Sequence, residues 1–169
     1  MSIPYKKILV PLDGSALAIQ ALPHAEEIAR SLGAQLILYQ VVESPAGIVA
    51  APTGTTSGGP SVAVGVGHVG MNVMGDDDER HTRAMDEAAA YLARLVTSLQ
   101  HRKIAAKADM NTGDPATYIV DYAAANAIDL IVISTHGRTG VGRWIYGSVA
   151  NKVLQAAPCA VLVVRSTVN

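Results

Sequence analysis

The chain has 169 residues, a formal net charge of -1 and a hydrophobic content of 50%. This length is enough for one domain with a buried core, and the near-neutral charge argues against a nucleic acid or a membrane surface as the partner. No charge-free apolar run is long enough to span a membrane, and residues 1–7 lack the apolar core of a signal peptide, so we expect a cytoplasmic protein.

The first part of the chain alternates between strand and helix patterns. Apolar runs predict strands over residues 8–12 and 36–42, and apolar residues at helical spacing predict a helix over 18–32. Ser15 is a suitable N-cap for this helix, whereas Pro23 lies inside it and is expected to kink it.

Residues 44–75 interrupt this alternation. They hold eight of the chain's 15 glycines and show no helical periodicity, which predicts a flexible insertion that is either functional or disordered. Residues 65–70 match the pattern G-x-G-x-x-G, but they lack the core strand and the apolar helix of a dinucleotide site, so we interpret the match as chance. The acids at 76–79 fit the first turn of a helix better than they fit a metal site.

The second part of the chain returns to alternating elements. It predicts helices over 85–99, from Pro115 onward with Asp114 as cap, and over 148–157, and strands over 103–111, 130–134 and 160–164. Cys159, the only cysteine, excludes an intrachain disulfide and is expected to pack as a small core residue. Continuous apolar strands between helices are typical of a buried parallel sheet. We therefore predict a single α/β domain over residues 1–169, an open doubly wound five-stranded parallel sheet with helices on both faces.

The loop after strand 130–134 has the composition of a phosphate-binding site. It is rich in glycine, carries Arg138, and ends in Gly147-Ser148 at the start of a helix. Glycine lets the backbone approach a ligand closely, and the N–H groups at a helix start favour anions. Arginine adds a fork-shaped donor that suits phosphate, although Arg138 is equally well explained as a solvated surface charge.

Asp13 is the second candidate for ligand binding. Ligands of open α/β sheets bind beyond the carboxyl ends of the strands, where the strand order reverses. If strands 8–12 and 130–134 are neighbours, Asp13 and the glycine-rich loop flank one crevice, where Asp13 would accept hydrogen bonds from a ribose. The alternative is that Asp13 is only a turn residue in Asp-Gly-Ser.

Several motifs in order resemble the universal stress protein family. They are KILVPLDGS at 7–15, Gly113-Asp-Pro115, DLIV at 129–132, THGRTG at 135–140, YGSVA at 146–150 and PCAVLVV at 158–164. The resemblance covers about residues 5–43 and 80–165, and the segment 44–75 is not part of the common pattern. It implies a five-stranded parallel sheet and, for some members, ATP binding.

ATP-binding members of that family carry G-x2-G-x9-G followed by Ser or Thr. In this chain the first glycine is replaced by Ser134, and the pattern continues with Gly137, Gly147 and Ser148. The resemblance also places adenine against Val41. The full set of candidate nucleotide-binding residues is Pro11, Leu12, Asp13, Val41, Met110, Ser134, His136, Gly137, Arg138, Gly140, Gly147, Ser148 and Val149.

The leading hypothesis is a module that binds ATP with Mg²⁺ or Mn²⁺ and acts as a stress sensor or regulatory protein. His136 is interpreted as a support for the loop, because no acid is placed by the sequence to orient it as a catalytic base beside Ser148. Two alternatives remain open. One is a slow ATPase or nucleotidyl transferase on the same fold, and the other is an interaction protein that binds no nucleotide.

The last strand predicts how the chain assembles. Residues Ala160–Val164 are uninterrupted and apolar, and we expect this strand at an edge of the sheet, where it is free to pair with another chain. Family members often dimerise through this strand. We therefore expect a homodimer with antiparallel strands and a two-fold axis near Leu162 or Val163. The alternative is a monomer in which the glycine-rich segment covers the edge.

Overall fold

The computed structural model describes residues 5–43, 73–136 and 147–166. In chain order the elements are β1 (Lys7–Leu12), a 3-10 helix (Ala18–Gln20), α1 (Ala21–Leu32), β2 (Gln35–Val42), α2 (Val73–His101), β3 (Ala106–Thr112), α3 (Pro115–Ala125), β4 (Leu130–His136), α4 (Ser148–Ala156) and β5 (Ala160–Ser166). The predictions for residues 44–72 and 137–146, among them the flexibility of the first segment and the interpretation of the match at 65–70, lie outside the described residues.

The five strands form one sheet in which every pair is parallel. The strand order is β3-β2-β1-β4-β5. Strand β1 therefore lies between β2 and β4, and the order reverses there, because the chain first builds outward on one side of β1 and then on the other. This confirms the predicted doubly wound sheet and the predicted contact between the first and fourth strands.

Apolar layers cover both faces of the sheet. Side chains alternate along each strand, so Ile8 and Val10 pack with α1 and α2, whereas Leu9 and Ile131 pack with α3 and α4. Because the central strands are buried on both faces, their sequences read as continuous apolar runs instead of alternating ones.

The helix predicted over 18–32 is divided before Pro23. A 3-10 turn ends at Gln20 and α1 begins at Ala21, which leaves Pro23 as the third helical residue. The N–H groups of the first turn have no intrahelical acceptor, so the missing N–H of proline removes no hydrogen bond there. Ser15 is not the N-cap that the sequence predicted, because the 3-10 helix and α1 begin after Leu17 and Gln20, neither of which makes a side-chain cap bond. Its Oγ accepts a hydrogen bond of 3.0 Å from the backbone N–H of Ala18 and so closes the turn before the 3-10 helix.

Helix α2 and strand β3 differ from the predicted bounds. Helix α2 begins at Val73, inside the segment predicted as an insertion, so the acids at 76–79 fall just beyond its first three residues. Strand β3 begins at Ala106 instead of Lys103, because Lys103 has a positive φ of 61° and Ile104 N–H still bonds to the carbonyl of Leu99. Residues 102–105 therefore form the turn that follows α2.

Helix α3 begins as the sequence predicts. Asp114 is its N-cap, and the carboxylate accepts hydrogen bonds from Thr117 N at 3.0 Å and from Thr117 Oγ1 at 2.8 Å. These donors lower the pKa of Asp114 below its ordinary value, because they stabilise the ionised carboxylate. Pro115 occupies the first helical position. The loop between β3 and α3, which carries Gly113, is thereby fixed at the carboxyl edge of the sheet.

Two further expectations have structural outcomes. Cys159 is half-buried beside the α3/α4 layer, and burial raises the pKa of its thiol, which agrees with a packing role. Across the described ranges, no helix combines the length and the apolar composition that crossing a bilayer requires.

Candidate functional site

A cleft of about 930 Å³ opens at the carboxyl edge of the sheet. Its walls are the ends of β1, β2 and β4, the first turns of α3 and α4, and one side of α2. The cleft spans the point between β1 and β4 where the strand order reverses, which is where open α/β sheets bind ligands.

The cleft brings together most of the described candidate residues. Those that line it are Pro11, Leu12, Asp13, Val41, Ser134, Gly147, Ser148 and Val149. They come from four separate segments of the chain, so the fold and not the sequence makes them neighbours. The parallel arrangement is the cause, because it places the ends of β1, β2 and β4 at one edge.

The remaining candidates are not placed in the cleft. Met110 is paired with Gln40 across β2 and β3, and it packs against the layer of α1 and α2, whereas Val41 belongs to the opposite layer. His136 ends β4, but its side chain is outside the described part. Gly137, Arg138 and Gly140 lie in the undescribed range 137–146.

Asp13 is a turn residue that also lines the cleft. Its Oδ1 accepts a hydrogen bond of 2.8 Å from the backbone N–H of Ser15, which makes it the turn residue of Asp-Gly-Ser. The other carboxylate oxygen has no partner among the described residues, and the side chain is exposed and lines the cleft. One oxygen therefore orients the carboxylate and leaves the other available to a ligand.

At the start of α4, two backbone donors that line the cleft have no acceptor among the described residues. Gly147 is the N-cap and provides no side-chain hydrogen bond, unlike Asp114 at the start of α3. The N–H of Gly147 itself donates to Thr135 Oγ1 at 3.1 Å. The N–H groups of Ser148 and Val149 come next and have no intrahelical acceptor, so this helix start favours an anion.

Two hydroxyl residues at the end of β4 connect this strand by hydrogen bonds to other walls of the cleft. Ser134, which stands at the first position of the glycine pattern, donates from Oγ to the carbonyl of Ala18 at 3.2 Å. Its side chain is thus engaged with the 3-10 helix and does not cover the start of α4. Thr135 is 3% exposed and anchors Gly147. Sequence reasoning missed Thr135, although a threonine at the end of an apolar strand was the available signal.

The side of the cleft near Val41 is backed by two stacked aromatic rings. Tyr39 is 1% exposed and stacks on Tyr122 with ring centroids 4.3 Å apart. Its hydroxyl accepts a hydrogen bond of 3.0 Å from Asn111 Nδ2. Burial, reinforced by the negative charge of Asp109, raises the pKa of Tyr122 to about 12. Both phenols therefore remain neutral, and this wall has the flat apolar character that suits a base.

The sequence of this chain matches a known protein family. The sequence model described as "Universal stress protein family" matches residues 4–58 and 60–165. The chain belongs to the universal stress protein family. The matched ranges include most of 44–75, which the motifs had placed outside the common pattern.

The relatives cover nearly the whole chain. Universal stress protein MJ0531 of Methanocaldococcus jannaschii is 31% identical over 162 residues, which is 95% of this chain and 82% of the relative. Among solved structures, universal stress protein UspA from Lactobacillus plantarum has a TM-score of 0.72 and 25% identity, and the match covers 97% of this chain and 100% of that one. The predicted family and fold are thereby confirmed.

Two further universal stress proteins of the same fold were solved with a ligand. One is described as in complex with cAMP, with a TM-score of 0.60 and 20% identity over 96% of this chain and 98% of that one. The other, from Arabidopsis thaliana, has AMP bound, with a TM-score of 0.61 and 17% identity over 96% of this chain and 92% of that one.

The sequence reasoning also missed the wall that α2 contributes to the cleft of this universal stress protein. Glu87, Tyr91 and Arg94 line the cleft together with the small residues Ala84 and Ala88. Their spacing of three and four was the available signal, but the sequence analysis predicted only a helix over 85–99 there. Among the described lining residues, the carboxylates outnumber the single guanidinium, so the cleft attracts cations and hydrogen-bond donors.

Proposed function

We propose that this universal stress protein binds ATP in the cleft and acts as a sensor or regulatory module. The observation that carries the proposal is the meeting of two ligand groups at one edge of the sheet. These groups are the available carboxylate oxygen of Asp13 at the end of β1 and the uncapped start of α4 at Gly147. A nucleotide offers a matching pair of groups, a hydroxyl-bearing sugar and an anionic phosphate chain.

Each part of the nucleotide has a proposed place. The adenine lies along the apolar wall of Tyr39 and Val41, and the ribose reaches Asp13. The phosphates lie at the start of α4, where the N–H groups of Ser148 and Val149 donate to them and the helix dipole favours their charge. The two neighbours that bind AMP and cAMP support the choice of an adenine nucleotide.

The charges of the cleft support binding of ATP with Mg²⁺ or Mn²⁺. The described lining carries Asp13, Glu43 and Glu87 against only Arg94, so a bare triphosphate would meet more negative than positive charge. No cluster of three or more His, Cys, Asp or Glu able to hold a metal occurs among the described residues. A divalent ion would therefore be held mainly by phosphate oxygens and water, which is the usual mode for Mg²⁺.

We propose binding without fast turnover. The groups that the described lining offers to a phosphate are backbone N–H donors, the hydroxyl of Ser148 and the guanidinium of Arg94, and these bind and orient a ligand. A regulatory protein of this kind reports the nucleotide-bound state to a partner through the loops around the cleft.

The test is nucleotide released from freshly purified protein. We expect acid treatment to release an adenine nucleotide that chromatography identifies as ATP, and we expect the purified complex to release no phosphate over several hours. Steady release of phosphate or pyrophosphate would instead establish the slow enzyme. If no nucleotide is released, and none binds in calorimetry with Mg²⁺ present, the interaction protein is the correct alternative.

We also propose a homodimer through β5. This strand is at the end of the sheet order, next to β4, and Leu162 is 37% exposed on it. An exposed apolar edge pairs readily with a second chain, because its backbone groups are unpaired. We expect light scattering at micromolar concentration to give a dimer for the wild type and a monomer for Leu162→Lys and Val163→Pro. A wild-type monomer would refute the proposal, and dimeric variants would place the interface elsewhere.

A further inference from the structure

The α2 side of the cleft has its own polar groups, which the proposed places of adenine and phosphate leave unused. The floor on this side is the end of β1 and β2, where Leu12 and Gln40 are partners in register. The roof is the stripe of α2 that includes Ala88 and Tyr91. Asp13 follows Leu12 directly and is exposed in the cleft lining, so its carboxylate lies at the solvent edge of this floor.

Gln40 provides the first unexplained group. It lies on β2 and lines the cleft, and its Oε1 atom is buried without a hydrogen-bond partner in the described part of the chain. A buried acceptor with no donor costs about 1–3 kcal/mol, so such groups are rare in folded proteins. A donor supplied by a ligand in the cleft would remove this cost.

Tyr91 provides the second group. Its ring packs against the core layer of α1 and α2, and its hydroxyl has no hydrogen-bond partner among the described residues. Burial raises the pKa of Tyr91, the negative charge of Asp13 raises it further, and the positive charge of Arg94 opposes both. Tyr91 therefore keeps its proton and lies within electrostatic range of the Asp13 carboxylate.

We infer that Tyr91 and Gln40, together with Asp13, recognise the 2′ and 3′ hydroxyls of the nucleotide's ribose and so select ribonucleotides over deoxyribonucleotides. The inference rests on the proposed function, which places the ribose at Asp13. Each ribose hydroxyl is both a donor and an acceptor. One donates to Asp13 or to Gln40 Oε1, and Tyr91 donates its phenolic proton to one of the ribose oxygens. A sugar that lacks a hydroxyl leaves one of these groups unpaired, the buried Gln40 Oε1 among them, and therefore binds more weakly.

The test compares three nucleotides by calorimetry with Mg²⁺ present: ATP, 2′-deoxy-ATP and 3′-deoxy-ATP. For the wild type we expect ATP to bind about tenfold more tightly than at least one deoxy analogue. Tyr91→Phe and Gln40→Met each remove one polar group at nearly constant volume. Each variant is expected to bind ATP more weakly than the wild type does. Its affinity for the disfavoured deoxy analogue should stay at the wild-type value, so the ratio of the two affinities falls toward one.

The matched control is Tyr118→Phe, which removes a tyrosine hydroxyl from α3 outside the cleft lining. It should keep the wild-type ratio. A merely structural role for Tyr91 would lower the melting temperature and weaken all three nucleotides alike, and this result would overturn the inference. Equal affinity of the wild type for ATP and both analogues would overturn it too, while leaving the proposed function intact. Absence of binding for all three nucleotides would overturn both.

Discussion

Gly147→Asp is expected to abolish ATP binding while leaving the fold as stable as before or slightly more stable. A Cβ built on Gly147 meets no atom within 4 Å, and the residue has φ -52° and ψ 151°, which any amino acid adopts. Aspartate is a preferred N-cap, so α4 would gain up to a few tenths of a kcal/mol relative to glycine. The same carboxylate would occupy the proposed phosphate position. We expect a loss of affinity of roughly 100-fold or more, or about 2.7 kcal/mol.

Gly147→Asn separates charge from size. Asparagine has the shape of aspartate and is an equally good N-cap, but it carries no charge. Its effect on ATP affinity should therefore be clearly smaller than that of aspartate. Thermal unfolding and calorimetry on the two variants give the two readouts independently. If Gly147→Asp keeps wild-type affinity, the phosphates do not lie at the start of α4.

The sheet could be predicted from the sequence because its strands carry a strong local signal. The runs at 8–12 and 130–133 are apolar without interruption, which is the pattern of strands buried on both faces of a parallel sheet. The start of α3 was likewise predictable, because Asp114 is a preferred N-cap residue and Pro115 suits the first helical position. The position of the cleft then followed from one assumption, that β1 and β4 are neighbours, which the register Ile8–Leu130 confirms.

The α2 wall could not be predicted in the same way. Tyr91 and Arg94 have the spacing of an ordinary amphipathic helix, and no local pattern says that this helix extends past the end of the sheet to cover the cleft. Met110 packs in the layer of α1 and α2 and is not in the cleft lining. Its place beside the nucleotide was implied by the family resemblance alone, and no spacing in the sequence pointed to it.

Ser134 stands where the family pattern has its first glycine. The pattern alone does not tell whether the serine side chain obstructs the cleft. The structure shows the hydroxyl bonded to the carbonyl of Ala18. The substitution therefore adds a contact between β4 and the 3-10 helix, and it leaves the start of α4 uncovered.

Arg102→Ala is expected to destabilise the fold, because it breaks an ion pair whose carboxylate is mostly buried. Arg102 Nη1 lies 2.6 Å from Glu26 Oε2 and joins the end of α2 to α1. Glu26 is only 7% exposed, so removing its partner leaves a mostly buried carboxylate without a counter-ion. Because the Arg102 side chain is itself 46% exposed, we discount the usual cost of breaking a buried pair to about 2 kcal/mol. In a chain of this size that lowers the melting temperature by roughly 4–8 °C.

A neighbouring ion pair provides the control. Arg30 Nη1 lies 3.0 Å from Glu27 Oε2 on α1, but the two side chains are 53% and 72% exposed. Water solvates both charges once the pair is broken, so Arg30→Ala should change the free energy of unfolding by no more than about 0.5 kcal/mol. Adding Glu26→Met to Arg102→Ala removes the buried charge and should recover most of the lost stability. Equal destabilisation by Arg30→Ala and Arg102→Ala, or no recovery in the double variant, would show that burial of Glu26 is not the cause.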